Sequence, residues 1–273
     1  MKRIVKAILI YVGAILISTE IVLRFFDPFG FNYYRDVAKY HHDILVADTV
    51  MVYRQQPNSF TGLEYFSIQT NSAGARWHEY PSKIDLLVLG DSVVLGWGVR
   101  LDSTFVSLLN ADAVMGVGSW NSHTQTCWFM ASGLRPQKLL WVITANDIEV
   151  KQRFKPANWQ SWFYRNSVTT ALYWHLKQSI KRSDEIDFLP TYEWRNAVTK
   201  MAMFCDANDI KLIPVFYGLN DDVYCAYRDV FLNASIKLER FPKQVYLNRV
   251  SHIDGHPNSA GHRAMAEFIK EIL

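Results

Sequence analysis

Ser92, His256, Asp254 and Asn146 are residue types from which an acyl-transfer site can be assembled. Serine is a poor nucleophile until a base takes its proton, and histidine, with an ordinary pKa near 6.5, suits that task near neutral pH. Ser92 ends the stretch GDS at 90–92, and His256 lies in IDGHPNSAGH at 253–262. Asp254, two residues before His256, is a candidate to orient the imidazole ring and stabilise its cation. A tetrahedral oxyanion needs preorganised donors: the Ser92 amide, a backbone amide of Gly118 or Ser119 in GVGSWN, and the Asn146 side chain in TAND are candidates. Each residue also has an ordinary structural reading, since Asp and Ser favour turns and caps and Asn steadies loops. The chemistry gains weight only if four segments far apart in the chain meet.

Parallel strands would make them meet. IDLLVLG is an apolar run ending in turn residues, the pattern of a strand buried on both faces. DAVMGVG, KLLWVIT and KLIPVFY repeat it, and helix-like stretches separate them. From Glu193 to Asp206, Ala197, Val198, Met201, Ala202 and Cys205 recur with the period of one helix face; near the C-terminus Ala260, Ala264, Met265, Phe268, Ile269 and Ile272 form another stripe. Alternating strands and helices predict an α/β fold, a parallel sheet wrapped by helices on both faces. Ligands bind such sheets at the carboxyl edge, where all four segments would emerge.

The combination of GDS with a following glycine, the glycine loop, ND after the third core strand, and Asp and His followed by PNSAGH resembles the SGNH or GDSL-type hydrolases. The resemblance covers roughly residues 70–273 and includes NSAGAR at 71–76, which is similar to the lead-in of membrane-anchored bacterial members. It implies a flavodoxin-like three-layer α/β/α sandwich and a serine esterase mechanism without metal or cofactor. It also implies ester or O-acetyl substrates, often on glycans or lipids. It assigns Ser92 as nucleophile, Asn146 as oxyanion donor, Asp254 as acid and His256 as base. The sequence departs from the pattern in places. Either Gly118 or Ser119 occupies the oxyanion register, and Thr144 stands where a glycine is common. Ile253 holds the usual acid position of a DxxH spacing, with Asp254 one residue closer. A Ser-His dyad oriented by a backbone carbonyl is therefore the alternative to a triad. The GxSxG elbow of the other large serine hydrolase class is absent, because Ser92 is flanked at those positions by Gly90 and Val94.

The remainder of the chain narrows the setting. Its 273 residues are 49% hydrophobic, enough for a sizeable core, and 29 Lys and Arg against 26 Asp and Glu, with no basic run beyond the N-terminus, exclude an extended nucleic-acid surface. Cys127, Cys205 and Cys225 lack zinc-type spacing, although Cys205 and Cys225 could bridge in an oxidising compartment. His41, His42, His123, His175, His252 and His262 show no metal-ligand pattern and read as surface or loop histidines, and Asp147 as a structural loop carboxylate. Trp120, Trp128, Trp159 and Trp162 could stack on a sugar or pack.

Lys2, Arg3 and Lys6 precede an uncharged stretch from Ala7 to Thr19, and the apolar character resumes after Glu20. With no A-x-A cleavage pattern, residues 1–26 read as a retained transmembrane anchor, the basic end cytoplasmic. Residues 27–82 read as a linker and loop-rich lead-in. Residues 83–273 read as the hydrolase domain, with an aromatic insertion at about 150–190 that serves as a lid or membrane-facing flap. These readings together describe a single-pass protein of the inner membrane, its catalytic domain in the periplasm or outside the cell. It would be an esterase or acyltransferase acting on a cell-envelope glycan or similar ester. The alternative is a catalytically inactive relative that binds an envelope glycan or assembly partner.

Overall fold

A computed structural model of the chain describes residues 2–27, 30–148, 154, 159–181 and 189–273. They form two compact units: 1–43, 156–186 and 251–254 in one, and 44–155, 187–250 and 255–273 in the other. The parts of the expected insertion at 150–153, 155–158 and 182–188, like the side chains of Trp159 and His175, lie outside the described residues.

The larger unit is built on a five-stranded parallel sheet. Two antiparallel hairpins come first, β1 (Leu45–Asp48) with β2 (Val52–Gln55), and β3 (Phe60–Gly62) with β4 (Ser67–Gln69). The four apolar runs read from sequence become β5 (Leu86–Gly90), β6 (Ala113–Gly116), β7 (Lys138–Thr144) and β8 (Lys211–Tyr217), and a two-residue β9 (Glu239–Arg240) completes the sheet in the order β6-β5-β7-β8-β9. This is the flavodoxin-like order, with its reversal point beside β5. Every residue of β5 and β6 is buried, as expected for strands covered on both faces. Pro214 sits inside β8, opposite Trp141 of β7 and ahead of the two residues, Val215 and Phe216, that pair with β9.

Helices and turns connect the strands: α3 (Ser92–Leu95), α4 (Phe105–Leu108), α5 (Ser122–Ala131), α8 (Tyr192–Asp206), α9 (Asp221–Asn233), α10 (Lys243–Leu247) and α11 (Ser259–Ile272). The stripe expected on α8 is buried at Ala197, Val198, Met201 and Cys205, and that on α11 at Met265 and Ile269. All three cysteines are free, Cys205 buried and Cys225 exposed, so the possible bridge between them is not formed.

The smaller unit is helical: α1 (Lys2–Phe26), α2 (Asn32–Asp43), α6 (Trp159–Asn166) and α7 (Val168–Lys181), with α7 against α1 and both α6 and α7 against α2. α1 is long and apolar enough to cross a membrane, with a mean hydropathy of 2.0. Glu20, the one acidic residue of that helix, is not left unpaired. Its carboxylate accepts from the amides of Val168 and Thr169 (3.1 and 2.9 Å) and from the hydroxyls of Ser167 and Thr169 (2.9 and 2.8 Å), and pairs with Arg24 at 2.9 Å. The anchor's carboxylate thus satisfies the orphan N–H groups that open α7. α2 starts in the same manner: Asp27 accepts from the amides of Phe31 and Asn32, both at 2.7 Å. Part of the region read as linker is therefore a capped helix.

Candidate active site

Ser92 lies two residues past the end of β5, after Asp91, and opens the single turn of α3. Capping falls to its neighbour: Asp91 Oδ1 accepts from the Val93 amide at 2.9 Å. The Ser92 hydroxyl is thereby left for another partner, and it meets His256, with Nε2 and Oγ 2.8 Å apart. Both side chains are half-buried, accessible from solvent but shielded on one side. The His256 ring also lies against Trp97, centroids 6.2 Å apart, and Trp97 in turn meets Phe66 edge-on at 5.4 Å. Trp97 is buried and was given no role in the sequence reading; the only signal was its place in the GWG that follows α3.

The turn of α3 is held tightly. Gly96 closes it at φ +72°, in the left-handed region. Arg76, the last residue of NSAGAR, is buried and donates to the carbonyls of Leu95 (3.0 Å), Gly96 (2.8 Å) and Val99 (2.9 Å), so its guanidinium satisfies the orphan oxygens at the helix end. Burial pulls its pKa down to about 10, which still leaves it cationic at neutral pH.

The glycine loop after β6 is pinned from the β1–β2 hairpin. Tyr53 donates its hydroxyl to the Gly118 carbonyl at 3.1 Å, Gln55 Nε2 donates to the Gly116 carbonyl at 2.5 Å, and Trp120 Nε1 donates to the Tyr53 carbonyl at 2.9 Å. Trp120 is thus a packing residue, whereas Trp128 is half-buried and Trp162 exposed. With the Gly118 carbonyl engaged on that side, Ser119 takes φ +63°, a left-handed conformation unusual for a residue with a side chain.

After β7 the chain turns at Thr144. Its hydroxyl lies 3.0 Å from Asp91 Oδ2, 2.8 Å from Asp147 Oδ1 and 2.8 Å from Asn146 Oδ1. One hydroxyl hydrogen cannot serve three acceptors at once. Burial, and then the neighbouring Asp91, push the pKa of Asp147 well above the ordinary carboxylate value. Burial raises Asp91 as well, against the pull of the Val93 amide. Asp147 Oδ2 also accepts from the Thr144 amide at 3.1 Å, and Tyr227 ties down the Ala145 carbonyl at 2.9 Å. Asn146 stands exposed on this fixed turn.

Asp254 is buried, 3% exposed, and its amide donates to Ser251 Oγ at 2.9 Å; residues 251–254 group with the helical unit. His256, in the larger unit, is held by its own carbonyl, which accepts from the Val250 amide at 2.9 Å. His262 departs from the sequence reading. It is fully buried rather than at the surface, stacked on Phe105 at 5.8 Å, with Nδ1 accepting from the Phe105 amide at 3.2 Å and Nε2 lacking a partner among the described residues. Burial drives its pKa down to about 3, so it is neutral at physiological pH. Among the described residues no cluster of three or more His, Cys, Asp or Glu could hold a metal.

No family model and no curated protein sequence matches the chain. Its structure is similar to that of TesA (15% identical, TM-score 0.47, covering 68% of this chain and 96% of that one). It is also similar to the psychrotrophic esterase EstA from Pseudoalteromonas sp. (13% identical, TM-score 0.43, 68% and 97% covered) and to a carbohydrate esterase (10% identical, TM-score 0.42, 71% and 66% covered).

Proposed function

We propose that this chain is an exported, membrane-anchored serine esterase of the SGNH type that removes, or transfers, an acyl group, acetyl foremost, on a cell-envelope glycan or similar ester. What supports this reading is the 2.8 Å contact between Ser92 Oγ and His256 Nε2 at the carboxyl edge of a doubly wound sheet. In the first half-reaction His256 takes the Ser92 proton as Oγ attacks the ester carbonyl, and the oxyanion is met by the amides of Ser92 and of Gly118 or Ser119 and by the Asn146 side chain. His256 returns the proton to the departing alcohol, leaving an acyl group on Ser92. Water, or a sugar hydroxyl in a transfer reaction, then gives its proton to His256 and attacks the acyl-enzyme. Asp254 orients the imidazole and stabilises its cation. The basic residues in the first turns of α1, Lys2, Arg3 and Lys6, keep its N-terminal end in the cytoplasm, so the catalytic unit stands on the periplasmic side of the inner membrane.

Hydrolysis of p-nitrophenyl acetate by the full chain tests this. Wild type is expected to turn over at neutral pH, and Ser92→Ala and His256→Ala each to lose roughly 10²-fold or more. A folded wild type that does not turn over, yet binds an O-acetylated glycan equally well with Ser92→Ala, would point instead to the inactive binding role.

A further inference from the structure

Several large apolar side chains of the helical unit are exposed to solvent, and they are not scattered. α1, α6 and α7 border a groove of about 680 Å³ whose walls include Leu16, Ile17 and Ile21 on α1 and Trp162, Phe163 and Tyr173 on α6 and α7. All six side chains are exposed. A contiguous apolar surface of this kind is uncommon on a soluble protein and marks an interaction site.

What covers it follows from α1. If α1 spans the bilayer, lipid contacts Leu16, Ile17 and Ile21; those residues are one wall of the groove, so acyl chains at that level also reach Trp162, Phe163 and Tyr173 on the other. The depth agrees. Glu20 lies fourteen positions beyond Lys6, about 21 Å along a helix at 1.5 Å per residue, within a hydrocarbon core about 30 Å thick. The first turn of α7, tied to Glu20 by its amides, therefore sits about 9 Å below the outer boundary, within the roughly 5–10 Å to which an interfacial helix buries its apolar face. Arg24 donates to the Asn166 carbonyl at the end of α6, which holds the junction of the two helices at the same level. Trp and Tyr are favoured at that depth, where an apolar ring and a polar edge are both accommodated.

We infer that the α6–α7 pair is a second membrane element, an interfacial helix hairpin seated in the headgroup and acyl boundary of the outer leaflet, with a lipid surface as its partner. This rests on the anchor reading given under the proposed function, and the two fail differently. The full chain is reconstituted in phosphatidylethanolamine and phosphatidylglycerol vesicles with photoreactive benzoylphenylalanine in place, one at a time, of Leu16, Phe163, Tyr173 or Phe60. Phe60 is an exposed residue of β3 and serves as the control. Illumination is expected to yield lipid adducts at positions 163 and 173 about tenfold above position 60 and comparable with position 16, as a seated hairpin requires. Adducts at 16 but not at 163 or 173 would overturn the inference and leave the anchor standing. Absence at 16 would overturn the anchor and the hairpin's seat together. Equal adducts at 60 would overturn it as well, because the whole molecule would then be lying on the lipid.

Discussion

At position 92 a hydroxyl is available to a base because the adjacent carboxylate, Asp91, takes the capping role that Asp-Ser pairs often share. The residue types of the site were legible in the sequence; the buried Asp91–Thr144–Asp147 cluster beneath it was not, because it depends on three side chains brought together by the fold. Asp147 was readable only as a loop carboxylate. The upward push that burial and Asp91 give its pKa predicts that Asp147→Asn, which keeps a neutral donor and acceptor, retains turnover within about tenfold, whereas Asp147→Ala leaves buried partners unsatisfied at roughly 1–3 kcal/mol each. Thermal unfolding and p-nitrophenyl acetate turnover read both. An equal loss in the two variants would mean that a charge is required there.

His262 carries the clearest pH signature. Its folded pKa of about 3 lies below the unfolded value of 6.5, so the unfolded chain binds the extra proton between them, and stability is lost as pH falls through that window. The slope contributed by one such group is at most about 1.4 kcal/mol per pH unit. Urea midpoints at pH 7, 5 and 4 are expected to fall less steeply in His262→Asn than in wild type; parallel slopes would show that the imidazole is not kept neutral by the fold. Nothing in the spacing of PNSAGH distinguishes this buried ring from a surface one.

Among the elements, the strands were readable because parallel strands buried on both faces are continuous apolar runs. β9 was not, since two residues carry no period, and neither were the β1–β2 and β3–β4 hairpins, whose short mixed strands resemble loop. Those hairpins matter to the site, because Tyr53 and Gln55 of β2 fix the glycine loop. β6 and α3 approach each other so closely that a Cβ on Gly116 would lie 2.6 Å from the Val94 carbonyl carbon. Gly116→Ala is therefore expected to displace the turn bearing Ser92 and cost activity more than about tenfold, with destabilisation of order 1–3 kcal/mol. Kinetics alongside unfolding curves decide it, and unchanged kcat/KM would show that the approach is not needed. Arg76→Met keeps much of the side chain's bulk but removes the donors to the carbonyls of Leu95, Gly96 and Val99. A loss of several kcal/mol, as a fall in Tm, is expected from roughly 1–3 kcal/mol for each buried carbonyl left unpaired; an unchanged Tm would contradict the clamp.

Across the whole molecule, the N-terminal apolar helix was evident from composition, and Glu20 was the residue that composition could not explain. Its partners lie some 147–149 positions away at the start of α7 and in the residue before it, a pairing no local pattern announces. Glu20→Ala is expected to loosen the start of α7 by about 1 kcal/mol, seen as faster hydrogen exchange at the amides of Val168 and Thr169 while β5 and β7 stay protected. Unchanged exchange there would remove the proposed tie between anchor and insertion. The account as a whole depends on one hydroxyl being activated by one imidazole. Its most direct measurement is fluorophosphonate labelling of the full chain, with the modified residue mapped by mass spectrometry. A single adduct on Ser92, lost in Ser92→Ala and slowed about a hundredfold or more in His256→Ala, is the predicted result. An adduct on a different residue, or labelling that persists undiminished in either variant, would contradict it.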